Sequence, residues 1–80
     1  MTQPLELVER QLIVQSLHLI ERALCEVRSG EGCVRLVRRI VEVSSQVEGA
    51  IELIVVSEAW QQFSLLYPDS ARDILSQARN

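Results

Sequence analysis

The chain contains no lysine, very few aromatic residues and no excess of basic over acidic residues. All eight basic residues are arginine, and the aromatic side chains are one tryptophan, one phenylalanine and one tyrosine. Eleven acidic residues give the chain a net charge of -3. A protein that binds nucleic acid through bulk charge usually carries a clear basic excess, so this balance argues against that class.

Long hydrophobic runs are also missing. The longest uninterrupted apolar stretch has four residues, at 53–56, whereas a membrane-spanning helix needs about 20. The first residues, MTQPLELVERQ, lack the basic start and the apolar core of a signal peptide. We therefore expect no membrane partner and a cytoplasmic location.

Cysteine and histidine are too sparse to form a recognisable metal or redox motif. Cys25 and Cys33 lack the C-x-x-C spacing of zinc sites, and His18 is the only histidine. We expect the cysteines to pack as small apolar residues, with a disulfide across the turn between them as the open alternative. No paired carboxylates or phosphate-binding loop stand out, so we predict a protein that is not an enzyme and holds no cofactor or metal.

The 80 residues, 48% of them hydrophobic, are expected to form one small domain over 1–80. Pro4 is typical of the first position of a helix, and the SGEG sequence at 29–32 is typical of a helix end. Between these signals the apolar residues recur every three or four positions, which is the period of a helix. We predict a first helix at about 4–28.

The next segment is rich in valine and isoleucine, which favour strands, but its apolar residues follow a helical rather than an alternating period. We predict a second helix at about 32–66, with Gly49 as a weak point because glycine is a poor helix former. This helix is either continuous or broken near Ser57, which can cap a new helix. Pro68 ends the segment, and a short third helix follows at about 69–78.

The two long helices carry apolar arcs that are wider than an antiparallel hairpin can bury. The uncovered part of these arcs indicates twofold association of two hairpins into a four-helix bundle. The residues predicted to lie at the dimer interface are Ile13, Leu17, Ile20, Leu24, Val37, Ile40, Val47, Ile51 and Ile54. The predicted fold is therefore all-α: an antiparallel helical hairpin with a short C-terminal helix, assembled as a homodimer.

The three aromatic residues share one helical stripe with a valine, at spacings of four, three and four. The stripe consists of Val56, Trp60, Phe63 and Tyr67. Either the C-terminal helix folds back over these residues, or they bind a partner, since tryptophan and tyrosine are enriched at binding hot spots. We favour a partner-binding site because the last helix offers only Ile74 and Leu75 as large apolar cover.

Three arginines, Arg35, Arg38 and Arg39, lie on the polar face of the second helix. Such a face can contact phosphates, but Glu31 and Glu42 flank it, which favours a salt-bridged surface. The leading hypothesis is a non-catalytic protein–protein interaction module: an adaptor, an assembly factor, a chaperone-like protein or a regulatory subunit. The alternative is a small nucleic-acid-binding regulator that uses the arginine face.

Overall fold

A computed structural model describes residues 3–79 of the chain, with side chains from Leu7 to Arg79. Its helices are α1 (Gln3–Glu26), α2 (Gly30–Ser44), α3 (Ala50–Val55), α4 (Glu58–Leu66) and α5 (Pro68–Ala78). The prediction of an all-α fold is confirmed for this part of the chain. None of the five helices combines the length and the apolar composition that crossing a bilayer requires.

The long helix expected at 32–66 is three helices in the structure. α2 ends at Ser44, and the chain turns through residues 45–49 before α3 begins. Gly49 has a φ of 82°, a left-handed conformation that glycine adopts without the steric cost that a Cβ brings. The predicted helix is therefore not only weakened at this glycine but interrupted there by a turn.

A second interruption lies at Ser57, where a break was one of the two alternatives. The Ser57 Oγ accepts a hydrogen bond from the backbone N–H of Trp60 at 3.2 Å and donates one to the carbonyl of Ile54 at 2.6 Å. One hydroxyl therefore caps the start of α4 and closes the end of α3. Only Tyr67 separates α4 from α5, and Pro68 occupies the first turn of α5, where its missing N–H is tolerated.

Four of the helices surround a single core. α1 packs against α2 and α4, and α5 packs against the same two helices, while α3 connects α2 to α4 and contacts α1. The largest fully buried side chains are Phe63, Ile20, Ile54, Val37, Val41 and Cys33. One chain thus brings four helices around a core, an arrangement that the sequence suggested would need two copies.

Most residues predicted at a dimer interface belong to this core instead. Ile13, Ile20, Val37, Ile40, Ile51 and Ile54 are buried within one chain, and Leu17, Leu24 and Val47 are partly buried. Within one chain, α4 and α5 add a second layer that packs against most of these residues.

Candidate functional site

The aromatic stripe predicted to bind a partner is divided between the core and the surface. Trp60 and Phe63 are 2% and 0% exposed, and their ring centroids lie 5.2 Å apart. Tyr67 is partly buried, with its ring 5.4 Å from that of Phe63, whereas Val56 is 74% exposed. These four side chains therefore do not form one accessible binding site.

The position of α5 explains why the aromatic rings are covered. α5 turns back directly after Tyr67 and packs against α4 and α2. Its buried Ala71 and Ile74 join the core cluster that holds the two buried rings, and Leu75 packs against that cluster. Fold-back of the C-terminal helix, the alternative that we did not favour from the sequence, is what the structure contains.

The three arginines of α2 do not converge on one site. Arg38 points toward α5, where its guanidinium lies 3.1 Å from the carboxylate of Asp73. Arg35 lies 3.8 Å from Glu31, one turn earlier on the same helix, and Arg39 is exposed. Arg38, which is paired with a residue of α5, therefore does not join Arg35 and Arg39 in one phosphate-binding surface.

Cys25, Cys33 and His18 do not come together either. Cys25 and His18 are exposed on α1, whereas Cys33 is buried on α2, and both cysteines are free thiols. Burial raises the pKa of the Cys33 thiol, which keeps it protonated and weakly reactive. Among the residues that the structure describes, no group of three His, Cys, Asp or Glu side chains could share a metal ion.

An apolar surface that no site prediction named lies in the groove between α1 and α2. Leu12 and Leu19 line its α1 side, and Leu36 and Val43 line its α2 side. These four side chains are between 41 and 61% exposed. Val8, one helical turn before Leu12, is 51% exposed and continues the same stripe. We call this surface the α1–α2 groove.

One part of the groove is a depression of about 190 Å³. Its lining consists of Leu12, Ile13, Gln15, Ser16, Leu19, Val43, Ser44 and Val47. The Ser16 and Ser44 hydroxyls lie 2.7 Å apart, and the Ser16 hydroxyl donates to the Leu12 carbonyl at 2.8 Å, so Ser44 donates to Ser16. Because this polar pair is already satisfied, an incoming apolar side chain leaves neither hydroxyl without a partner.

The end of the groove nearest the α1–α2 turn has a basic rim. Arg22 and Glu26 stand on one side of Leu36, and Arg35 and Arg39 stand on the other. The Arg22 Nε donates to the Glu26 carboxylate at 2.7 Å, and this hydrogen bond lowers the pKa of Glu26. Glu31 pairs with Arg35 on this rim, so three arginines and two glutamates leave one net positive charge, on a chain whose net charge is -3.

A second exposed apolar pair lies on the outer side of α3. Leu53 and Val56 are 50% and 74% exposed, and their spacing of three places them on one side of the helix. Glu48 and Glu52 are exposed close to them in the chain. Residues 40–71 contain five acidic residues and no basic one. We call this acidic and apolar surface the α3 face.

The α1 part of the groove has a signal in the sequence, although it does not identify a site. Val8, Leu12 and Leu19 form a second apolar stripe beside the stripe that includes Ile13 and Ile20. Periodicity alone cannot decide which of two adjacent stripes faces the core. The structure decides it, because α4 packs on the side of α1 that leaves the second stripe exposed.

Comparison of the chain with protein-family models, with curated protein sequences and with solved structures finds no match. Among the exposed surfaces, the α1–α2 groove and the α3 face combine exposed apolar side chains with a net local charge, positive at the groove rim and negative on the α3 face.

Proposed function

We propose that this protein acts without catalysis, by binding proteins through the α1–α2 groove, and that a second copy of the chain is one such partner. The observation that carries the proposal is the row of half-exposed leucine and valine side chains along the groove. Covering apolar surface lowers the free energy, and a contiguous patch of this kind usually marks an interface. The proposed class is an adaptor, an assembly factor, a chaperone-like protein or a regulatory subunit.

The size of the patch is suited to an interface. Five leucine and valine residues, each about half exposed, present on the order of 400 Å² of apolar surface, comparable to the largest patch on a typical monomer. A standard interface takes about 800 Å² from each partner, of which somewhat more than half is apolar. The groove therefore supplies most of the apolar area that one partner contributes.

Self-association through the groove differs from the dimer expected from the sequence. That dimer was to complete a four-helix bundle from two hairpins, whereas one chain already places four helices around its core. Association at the groove joins two chains that are already folded, so each copy keeps its own core. The extent of assembly then depends on protein concentration.

Sedimentation equilibrium of the purified chain tests this proposal. We expect a mass above the 9.1 kDa of one chain at micromolar concentration. The variant Leu19→Glu places a charge in the middle of the groove, where burial against a partner would be costly. It should sediment as a monomer and keep its helical circular dichroism spectrum, because Leu19 is already 48% exposed in one chain.

The matched control is Leu65→Glu. Leu65 is 83% exposed on α4 and does not line the groove. This variant should associate as the wild-type chain does. A wild-type chain that stays monomeric at high micromolar concentration, or a Leu19→Glu variant that associates normally, would contradict the proposal.

A further inference from the structure

We propose that two copies bind head to tail, with the α3 face of one copy seated in the α1–α2 groove of the next. The inference rests on the proposed function and names the surface of the second copy that occupies the groove. The two contacting surfaces are different, so the interface is heterologous. Each bound pair keeps one free groove and one free α3 face.

Charge complementarity favours this pairing over the symmetric ones. The groove has its excess of positive charge at the rim around Leu36, and the α3 face carries Glu48 and Glu52 within a segment that has no basic residue. Pairing two grooves brings both basic rims into one interface, and pairing two α3 faces does the same with the acidic residues. Only the head-to-tail pairing places opposite charges together, and such complementarity selects partners and their register.

The α3 face and the groove each offer two apolar features. Leu53 and Val56 present two side chains one helical turn apart, which is how a short amphipathic helix binds in a groove. The groove offers two depressions in succession, one beside Val43 and one beside Leu36, and Leu19 lines both of them.

A heterologous contact has consequences that a symmetric dimer lacks. Because free surfaces remain after each addition, assembly continues into rings or open chains as the concentration rises. Since opposite charges contribute to the contact and are exposed at its edges, added salt should weaken it.

Complementation between two variants tests the inference. Leu19→Glu disables the groove and leaves the α3 face intact, whereas Leu53→Arg sets a positive charge against the basic rim and leaves the groove intact. Each variant alone should sediment as a monomer. An equimolar mixture should form a heterodimer of about twice the 9.1 kDa chain mass that does not grow, because its remaining surfaces are the disabled ones.

Other outcomes separate this inference from the proposed function. If the wild-type chain associates but the mixture stays monomeric, or if Leu53→Arg alone associates normally, the head-to-tail contact is wrong and association through the groove stands. If the wild-type chain is monomeric, both proposals fail.

A second test replaces an exposed charged residue, a change that should leave the fold of the chain intact. Glu52→Arg changes only a surface residue and should weaken association by about two- to fivefold, as loss of an exposed ion pair does. Pairing this variant with Arg39→Glu on the other copy should recover most of that loss. An unchanged dissociation constant for Glu52→Arg, or a loss that Arg39→Glu does not recover, would overturn the inference.

Discussion

Trp60→Ala should destabilise the domain strongly in the absence of any partner. Trp60 is 2% exposed and packs beside Phe63 in the core that α5 helps to cover. Truncation removes the whole of a buried indole ring and leaves a cavity. Replacing a core tryptophan or phenylalanine by alanine typically costs about 3–5 kcal/mol, and we expect a loss of that size in the free energy of unfolding.

The loss is large compared with the stability of so small a domain. At about 0.05–0.15 kcal/mol per residue, a chain of 80 residues has roughly 4–12 kcal/mol of unfolding free energy. For a domain of this size, each 1 kcal/mol shifts the melting temperature by about 4–8 °C, so the variant should melt at least roughly 12 °C lower. If the wild-type chain lies at the low end of this stability range, the variant should lose its fold altogether.

Urea denaturation followed by far-ultraviolet circular dichroism measures this change. The measurement belongs at a concentration where the chain is monomeric, because association adds apparent stability. Leu65→Ala, a change at a residue that is 83% exposed on the same helix, is the control and should stay within about 0.5 kcal/mol of wild type. A loss below about 1 kcal/mol for Trp60→Ala would refute the placement of Trp60 in the core, because such values are typical of surface sites.

Four further predictions concern smaller features of the structure. Iodoacetamide should modify the exposed Cys25 and spare the buried Cys33 in the native chain, and mass spectrometry of the two peptides checks this. Since burial raises the pKa of Cys33, the unfolded chain loses that proton first, and urea midpoints should fall as the pH rises above about 8.5. Ser57→Ala removes the cap of α4 and should lower the free energy of unfolding by about 1 kcal/mol; an unchanged urea midpoint would contradict this. Gly49→Ala should cost about 1–2 kcal/mol by the same assay, because alanine at a φ of 82° is strained even where space is open.

The helical class and much of the core follow from the apolar period of the sequence. Ile20 and Val37 lie on the stripes that this period identifies, and both are fully buried. The turn at 45–49 is different, because Ser44 and Ile51 stay in phase on both sides of it and are both buried. A turn that rejoins the next helix in phase leaves no mark on the periodicity, so the pattern predicts one long helix there.

The candidate site was less predictable because it depends on contacts between distant parts of the chain. Which stripe of α1 stays exposed is set by where α4 packs, and no local pattern encodes that choice. The burial of Trp60 depends likewise on α5 turning back after Pro68. A count of the large residues on α5 underestimates how well the aromatic rings are covered. The small Ala71 also joins the core, and residues of other helices complete the cover.

We propose above that the α1–α2 groove is the surface through which this protein associates. Methyl NMR spectra recorded over a series of protein concentrations test it most directly, because each leucine and valine methyl group reports on its own surroundings. We predict that the methyl signals of Leu12, Leu19, Leu36 and Val43 shift or broaden as association proceeds, while those of Leu65 stay unchanged. Unchanged groove signals in a sample that is shown by sedimentation to associate would contradict the claim.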